Sequence, residues 1–305
     1  MGLDSHALRF MLEARATGLS FDDVLTLGRL GVHAAPEPLQ STLERAGIAI
    51  SLAETETLLT SAAGFCEPLL TRLGARTIAS IDISAYQHAA IVHDMNRPLP
   101  VDLHQRFSLV IDGGTLEHVF HFPHAVAGCM QAVRPGGHFV AVSPANNFMG
   151  HGFYQFSPEL FFRVLCPENG FVVERMVIYE DQWPSEWYEV RDPAAVRQRV
   201  TLVNRYPTFL LVLARKTEHV PLFRAFPQQS DYVDWWSTAE RDRARPAVRS
   251  SGTRKRSLGE RLLDGMLAPV RLIVPAAWKS RYHHVRAGGN RFNPACYRKV
   301  ARSSP

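Results

Sequence analysis

The sequence predicts an α/β fold: a mostly parallel sheet of seven strands, helices on both faces, and a last strand running antiparallel. Three observations carry that expectation. Runs rich in Val, Ile and Leu alternate with helical patterns between about residues 23 and 216, as strand–helix–strand units require. Four successive runs end at glycines or aspartates. The final two runs, "FVVERMVIYE" and "TFLLVLARK", are separated by a long segment containing "DQWPSEWYEVRDP" and not by a simple crossover helix, which suits an antiparallel edge strand.

Asp4 to Ala16 places Leu8, Phe10, Met11 and Leu12 at helical spacing behind a cap at Asp4 or Ser5. Val24 to Leu27 is a short buried strand that runs into Gly28-Arg29-Leu30-Gly31. "EPLQSTLERAG", "SLAETETLL" and "FCEPLLTRLG" read as three helices, the first and last closed by glycine. "RTIASIDIS" is a strand ending at Asp82, and "AAIVHDMNRPLP" a strand leading to Asp94 and Met95. "FSLVID" ends at Asp112, "LEHVFHFPHAVAGCMQAV" is a helix containing a proline, and "GHFVAVSP" is the next strand. "SPELFFRVLCPENG" follows as a helix with Ser157 at its cap and Pro158 in its first turn.

The 305-residue chain is 46% hydrophobic and 21% charged, ordinary values for a globular protein. Charges interrupt the apolar pattern of the first residues, so no signal peptide is expected, and no run is apolar enough for a transmembrane helix. Cys66, Cys129, Cys166 and Cys296 are far apart with no CxxC pair, which points to a reducing, cytoplasmic setting and to no metal or disulfide framework. The net charge of +5 is divided unevenly. Residues 1–240 hold 18 Lys/Arg against 26 Asp/Glu, whereas residues 241–305 hold 16 against 3. An acidic domain over residues 1–216, with an insertion at about 37–64, therefore precedes a basic extension over 217–305, part linker and part short helices.

In an open parallel sheet, ligands sit beyond the carboxyl ends of the strands. Glycines at 28 and 31 let backbone approach a ligand closely. Asp82, with Ile83 beside it, can accept hydrogen bonds from a ribose diol; Asp94 can accept from an adenine amino group while Met95 lies against the ring. Asp112, Gly113, Gly114 and Thr115 leave room for the ligand body. The order of these features along one edge favours a ligand containing a nucleoside.

The string "VLTLGRLG … IDIS … HDMN … FSLVIDGGTLEHV … VRPGGHFVAVSP" resembles the class I S-adenosylmethionine-dependent methyltransferases, over roughly Asp23 to Lys216. The "LEHV" and "PGG" portions carry most of the likeness. It implies a Rossmann-like fold, S-adenosylmethionine as cofactor, and contacts to it from Gly28, Arg29, Gly31, Asp82, Ile83, Asp94, Met95 and Asp112 through Thr115. The first loop departs from the family pattern, lacking its acid and its third close glycine, which implies a different grip on the methionine end. A binding or scaffold protein that retains the fold without transfer is the alternative. A nicotinamide-dependent oxidoreductase stands further back, because no G-x-G-x-x-G follows the first strand.

Methyl transfer is largely positioning, with a base required when the acceptor is an oxygen or a protonated nitrogen. Candidate bases are His118, in the Glu117-His118 pair with His121 and His124 beyond it, and His151, between two glycines in "PANNFMGHGFYQFSPELFF". The same segment offers Asn146, Asn147, His151 and Tyr154 to a small-molecule or sugar-linked acceptor. The basic extension suits an anionic membrane surface or self-association; no nucleic-acid motif accompanies it.

Overall fold

The structure, a computed structural model, describes residues 2–244 and 293–301. Alternation of apolar side chains along the strands decides its layers, because successive residues of a strand face opposite sides. Among the described residues, strands β1 (Gly2–Asp4), β2 (Asp23–Leu27), β3 (Gly31–His33), β4 (Thr77–Asp82), β5 (Ile91–Val92), β6 (Phe107–Gly113), β7 (Val133–Asn146), β8 (Phe171–Glu180), β9 (Tyr188–Val190), β10 (Thr208–Lys216) and β11 (Tyr297–Lys299) are joined by eight helices. These are α1 (Ser5–Arg15), α2 (Pro36–Arg45), α3 (Leu52–Thr60), α4 (Glu67–Arg72), α5 (Phe122–Ala132), α6 (Pro158–Val164), α7 (Pro193–Val196) and α8 (Ser230–Ala244).

On one face Val24, Leu109, Ile111, Val140, Val142, Leu211 and Leu213 pack against α1, α2 and α4. On the other, Leu25, Leu27, Val110, Phe139, Ala141, Leu210 and Val212 pack against α5 and α6. Both faces are thus dry, and the strands read as continuous apolar runs.

The main sheet has the order β11-β9-β8-β10-β7-β6-β2-β4-β5. Pairings from β5 to β7 are parallel, and β10 runs antiparallel to both β7 and β8. The seven strands from β5 to β8, numbered afresh from β2 with β3 and β9 left out, follow the order 3-2-1-4-5-7-6 with the seventh reversed. The chain therefore has an α/β fold in which a large mixed sheet is covered by helices on both faces, consistent with the Rossmann-like fold that the resemblance implies.

Two expectations are corrected. Among the described residues the sheet has nine strands and is mixed, not seven and mostly parallel, because β9 and β11 extend it antiparallel beyond β8. The helix expected from Leu116 to Val133 is broken: a 3-10 turn covers Leu116–His118 and α5 begins at Phe122. Pro123 sits in the first turn of α5, where its fixed φ is welcome, and it has no N–H to donate to the Val119 carbonyl as a helix running on from Leu116 would require. Two further strands, β1 and β3, pair in parallel as a separate ribbon. Asp4 caps α1 by accepting from the Ala7 amide at 2.7 Å, and its other oxygen accepts from the buried Tyr179 hydroxyl at 2.8 Å, which fixes β1 over the sheet.

Most of the basic extension, including the expected linker and the apolar stretch around Trp278, lies outside the described residues. Within the described part, β11 adds to β9, with Cys296 and Tyr297 buried beneath it. Among the described residues no helix is long and apolar enough to cross a membrane, and the four cysteines are free.

Candidate functional site

The carboxyl ends of β5, β4, β2 and β6 lie side by side, so the loops that follow them share one edge. The Gly28 amide donates to the Ile81 carbonyl at 2.7 Å and the His93 amide to the Asp82 carbonyl at 2.8 Å. Thr115 Oγ1 donates to the Leu27 carbonyl at 2.8 Å, tying the end of β6 to the end of β2. These bonds bring Gly28, Asp82, Asp94 and Thr115 to one margin.

The first loop is held down from outside. Arg29 Nε donates to Glu67 Oε1 at 2.5 Å, its guanidinium lies over the Phe65 ring, and the Leu30 carbonyl accepts from the Cys66 amide at 2.9 Å. Leu30 is completely buried. It points at Gly113: a Cβ on Gly113 would stand 2.9 Å from Leu30 Cδ1 and 3.3 Å from the Gly2 carbonyl oxygen. The absence of a side chain at Gly113 therefore makes room for Leu30 and for β1.

Asp82 accepts from the Ser84 amide through Oδ1 at 3.0 Å, and Ile83 beside it is largely exposed. Asp94 holds a tight turn by accepting from the Asn96 amide and side chain, bonds that keep its carboxyl below the usual range. Met95 is buried, with its terminal methyl against Gly128 of α5.

Asp112 is fully buried. Its Oδ1 accepts from the amides of Thr115 and Leu116, and Oδ2 has no partner. Burial, and then the neighbouring Glu117 carboxyl, push its pKa well up. Glu117 is 1% exposed, and burial pushes its carboxyl up to about 7.

The two histidines singled out from the sequence meet here. His118 and His151 stand edge to face with ring centroids 4.9 Å apart, and His151 Nε2 is 3.5 Å from Glu117 Oε1. The Glu117 carbonyl accepts from the Phe153 amide at 2.7 Å, which holds the histidine loop over the 3-10 turn. Gly152 has a φ of 68° and lies so close to the Glu117 carbonyl that a Cβ would come within 2.8 Å, so glycine is required there. Burial, and then His151, lower the pKa of His118. Glu117 is the member whose burial a sequence does not display; an acid at the start of a helical run reads first as a solvated group.

Asn146, Asn147 and Tyr154 have other partners. Asn146 Nδ2 donates to Asn204 Oδ1 at 2.8 Å, and Asn147 Nδ2 reaches Asn204 and the Tyr206 carbonyl. The Tyr154 hydroxyl donates to the Phe120 carbonyl at 2.6 Å. Asn204 in turn lines a cavity of about 260 Å³, with Glu180, Gln182, Glu186, Tyr188 and Thr208 among its walls, at the same end of the sheet.

No family model matches the chain, and no curated protein matches it either. Among solved structures, it is similar to the branched-chain polyamine synthase of Thermus thermophilus in complex with N4-aminopropylspermidine and 5′-methylthioadenosine. The identity is 17% over 73% of this chain and 59% of that one, with a TM-score of 0.34. It is also similar to the 1,6-didemethyltoxoflavin-N1-methyltransferase of Burkholderia thailandensis, with 14% identity, coverage of 70% and 78%, and a TM-score of 0.35. TehB of Haemophilus influenzae gives 13%, 68%, 62% and 0.35 in the same terms. The chain thus spans less than two thirds of the polyamine synthase and of TehB. At these scores and identities the likenesses carry no functional weight, and the fold stands on the strand order.

Proposed function

We propose that this chain is an S-adenosylmethionine-dependent methyltransferase acting on a small-molecule acceptor. One observation carries the reading: the 3-2-1-4-5-7-6 strand order gathers Gly28, Asp82, Asp94 and Asp112–Thr115 on a single carboxyl margin. Ligands of open α/β sheets bind at that margin.

Two residues at this margin support the adenosyl half of the cofactor. Asp82 spends one oxygen on a turn bond and keeps the other for a ribose hydroxyl, while the exposed Ile83 offers an apolar contact to the base. The methionine half does not fit beside Gly113 as the chain lies, because Leu30 and the Gly2 carbonyl occupy that space. When bound, the cofactor supplies an activated methyl group. The chain's own contribution is to orient the adenosyl group and, at His118 or His151, to take a proton from an oxygen or protonated nitrogen acceptor.

The filled space at Gly113 favours a second reading, a protein that binds a nucleoside compound and transfers nothing. Two measurements on the full chain separate the two. Calorimetric titration with S-adenosylmethionine and S-adenosylhomocysteine is expected to show binding, weakened about 10- to 100-fold in Asp82→Ala by loss of a hydrogen bond worth roughly 1.5–3 kcal/mol. Radiolabelled methyl transfer to a metabolite extract then distinguishes an enzyme from a binder. Failure of both compounds to bind removes the cofactor assignment.

A further inference from the structure

We propose that Glu117, His118 and His151 form a binding site for a divalent first-row transition-metal ion of the zinc type. The cysteine spacing gave no reason to expect a metal, and the site contains no cysteine. It arises because the 3-10 turn after β6 and the glycine-flanked loop after β7 are hydrogen-bonded to one another through the Glu117 carbonyl.

The geometry is close to what such an ion needs. One ligand atom from each of the three residues lies within 4.8 Å of the other two. The Glu117 Oε1 to His151 Nε2 separation is 3.5 Å. Four-coordinate zinc, with bonds of about 2.0–2.2 Å, holds its ligand atoms roughly 3.4 Å apart. One edge of the polyhedron is therefore already formed. The exposed His118 and His151 rings can close the others by side-chain rotation, since neither is locked inside the core.

The second, independent sign is Glu117 itself. Its carboxyl is 1% exposed, and Oε2 has no hydrogen-bond partner. A buried carboxyl oxygen without a donor is costly unless a cation or a proton satisfies it. Two imidazoles and one carboxylate suit zinc, cobalt or iron(II) better than magnesium or calcium, which prefer all-oxygen shells. Three protein ligands leave a position for water or a substrate atom, as in catalytic rather than structural sites.

The site does not depend on the methyltransferase reading, and failure of one leaves the other standing. It does compete with the base role suggested for the histidines, because a lone pair given to an ion is not free to accept a proton.

The test uses the full chain, stripped with a chelator. Titration with Zn²⁺ by calorimetry and with Co²⁺ by visible absorption is expected to show one site per chain with a tetrahedral cobalt spectrum, and no comparable binding of Mg²⁺. Glu117→Gln, His118→Ala and His151→Ala are each expected to weaken that site at least tenfold. His121→Ala and His124→Ala, which alter a stacked imidazole pair outside the cluster, should leave it unchanged. Metal-free melting curves of each variant control for misfolding, and Glu117→Gln keeps the shape of the buried side chain. No binding, binding insensitive to all three ligand variants, or equal loss in the His121 and His124 variants would overturn the assignment.

Discussion

Leu30 and Gly113 share one volume: the leucine's methyl groups fill the place a side chain on Gly113 would take, at 2.9 and 3.0 Å from its Cβ position. Gly113→Ala is therefore expected to destabilise the protein by about 1–3 kcal/mol through overpacking. Denaturant unfolding of Gly113→Ala, Leu30→Ala and the double variant checks it. The double variant should recover part of the Gly113→Ala loss, because the two substitutions act on the same space. Strict additivity would show that the close approach is not what limits residue 113.

Leu30→Ala has a second readout. It opens the space beside Gly113, so S-adenosylhomocysteine is expected to bind this variant several-fold more tightly than the parent chain. Calorimetry decides; weaker binding would mean that Leu30 supports the cofactor margin and does not obstruct it.

Stability should depend on pH through Glu117. Its folded-state pKa, raised to about 7 by burial, lies above the ordinary glutamate value of 4.5. The folded state thus holds its proton more tightly than the unfolded chain. This contribution is fully present below pH 4.5 and is lost as pH rises toward 7. In metal-free protein, Glu117→Gln should flatten that part of the profile and be more stable than the parent above pH 7, by up to roughly 3 kcal/mol. Melting temperatures from pH 4.5 to 8 in the presence of a chelator test it; parallel profiles would count against the burial argument.

Lys216, at the end of β10, is buried and donates through Nζ to the carbonyls of Met130 at 2.9 Å and Val133 at 2.8 Å. These carbonyls lie where α5 ends and β7 begins, a place where a cation offsets the negative end of the helix. Lys216→Met keeps the aliphatic stem but strands both acceptors, so a loss of about 2–4 kcal/mol is expected in chemical denaturation. A loss below about 0.5 kcal/mol would mean that water replaces the ammonium group.

Much of this was legible in the sequence. The strands that reach Asp82 and Asp112 stop where the apolar runs stop, although the sequence does not display that Asp112 is fully buried within β6. His118 and His151 were recognisable as candidates because each follows a strand end. The ribbon of β1 and β3 was not legible: three-residue strands are too short to show a period of two. Leu30 reads as part of a turn, and only the fold reveals that it is buried against Gly113. Asn146 and Asn147 look like ligand contacts in a polar loop, yet their amides are engaged by Asn204, 58 and 57 positions away. Long-range partners of this kind leave no local mark.

Strand β11 is the outermost strand beyond β9, with Arg298 paired to Glu189 from 109 positions away. Contacts of such separation cost loop-closure entropy before they return any stabilisation, so they form late in folding. Until that strand docks, the backbone of β9 offers an open hydrogen-bonding row on which another chain could grow. Between synthesis of Val190 and docking of Tyr297, β9 is therefore an uncovered edge of the sheet.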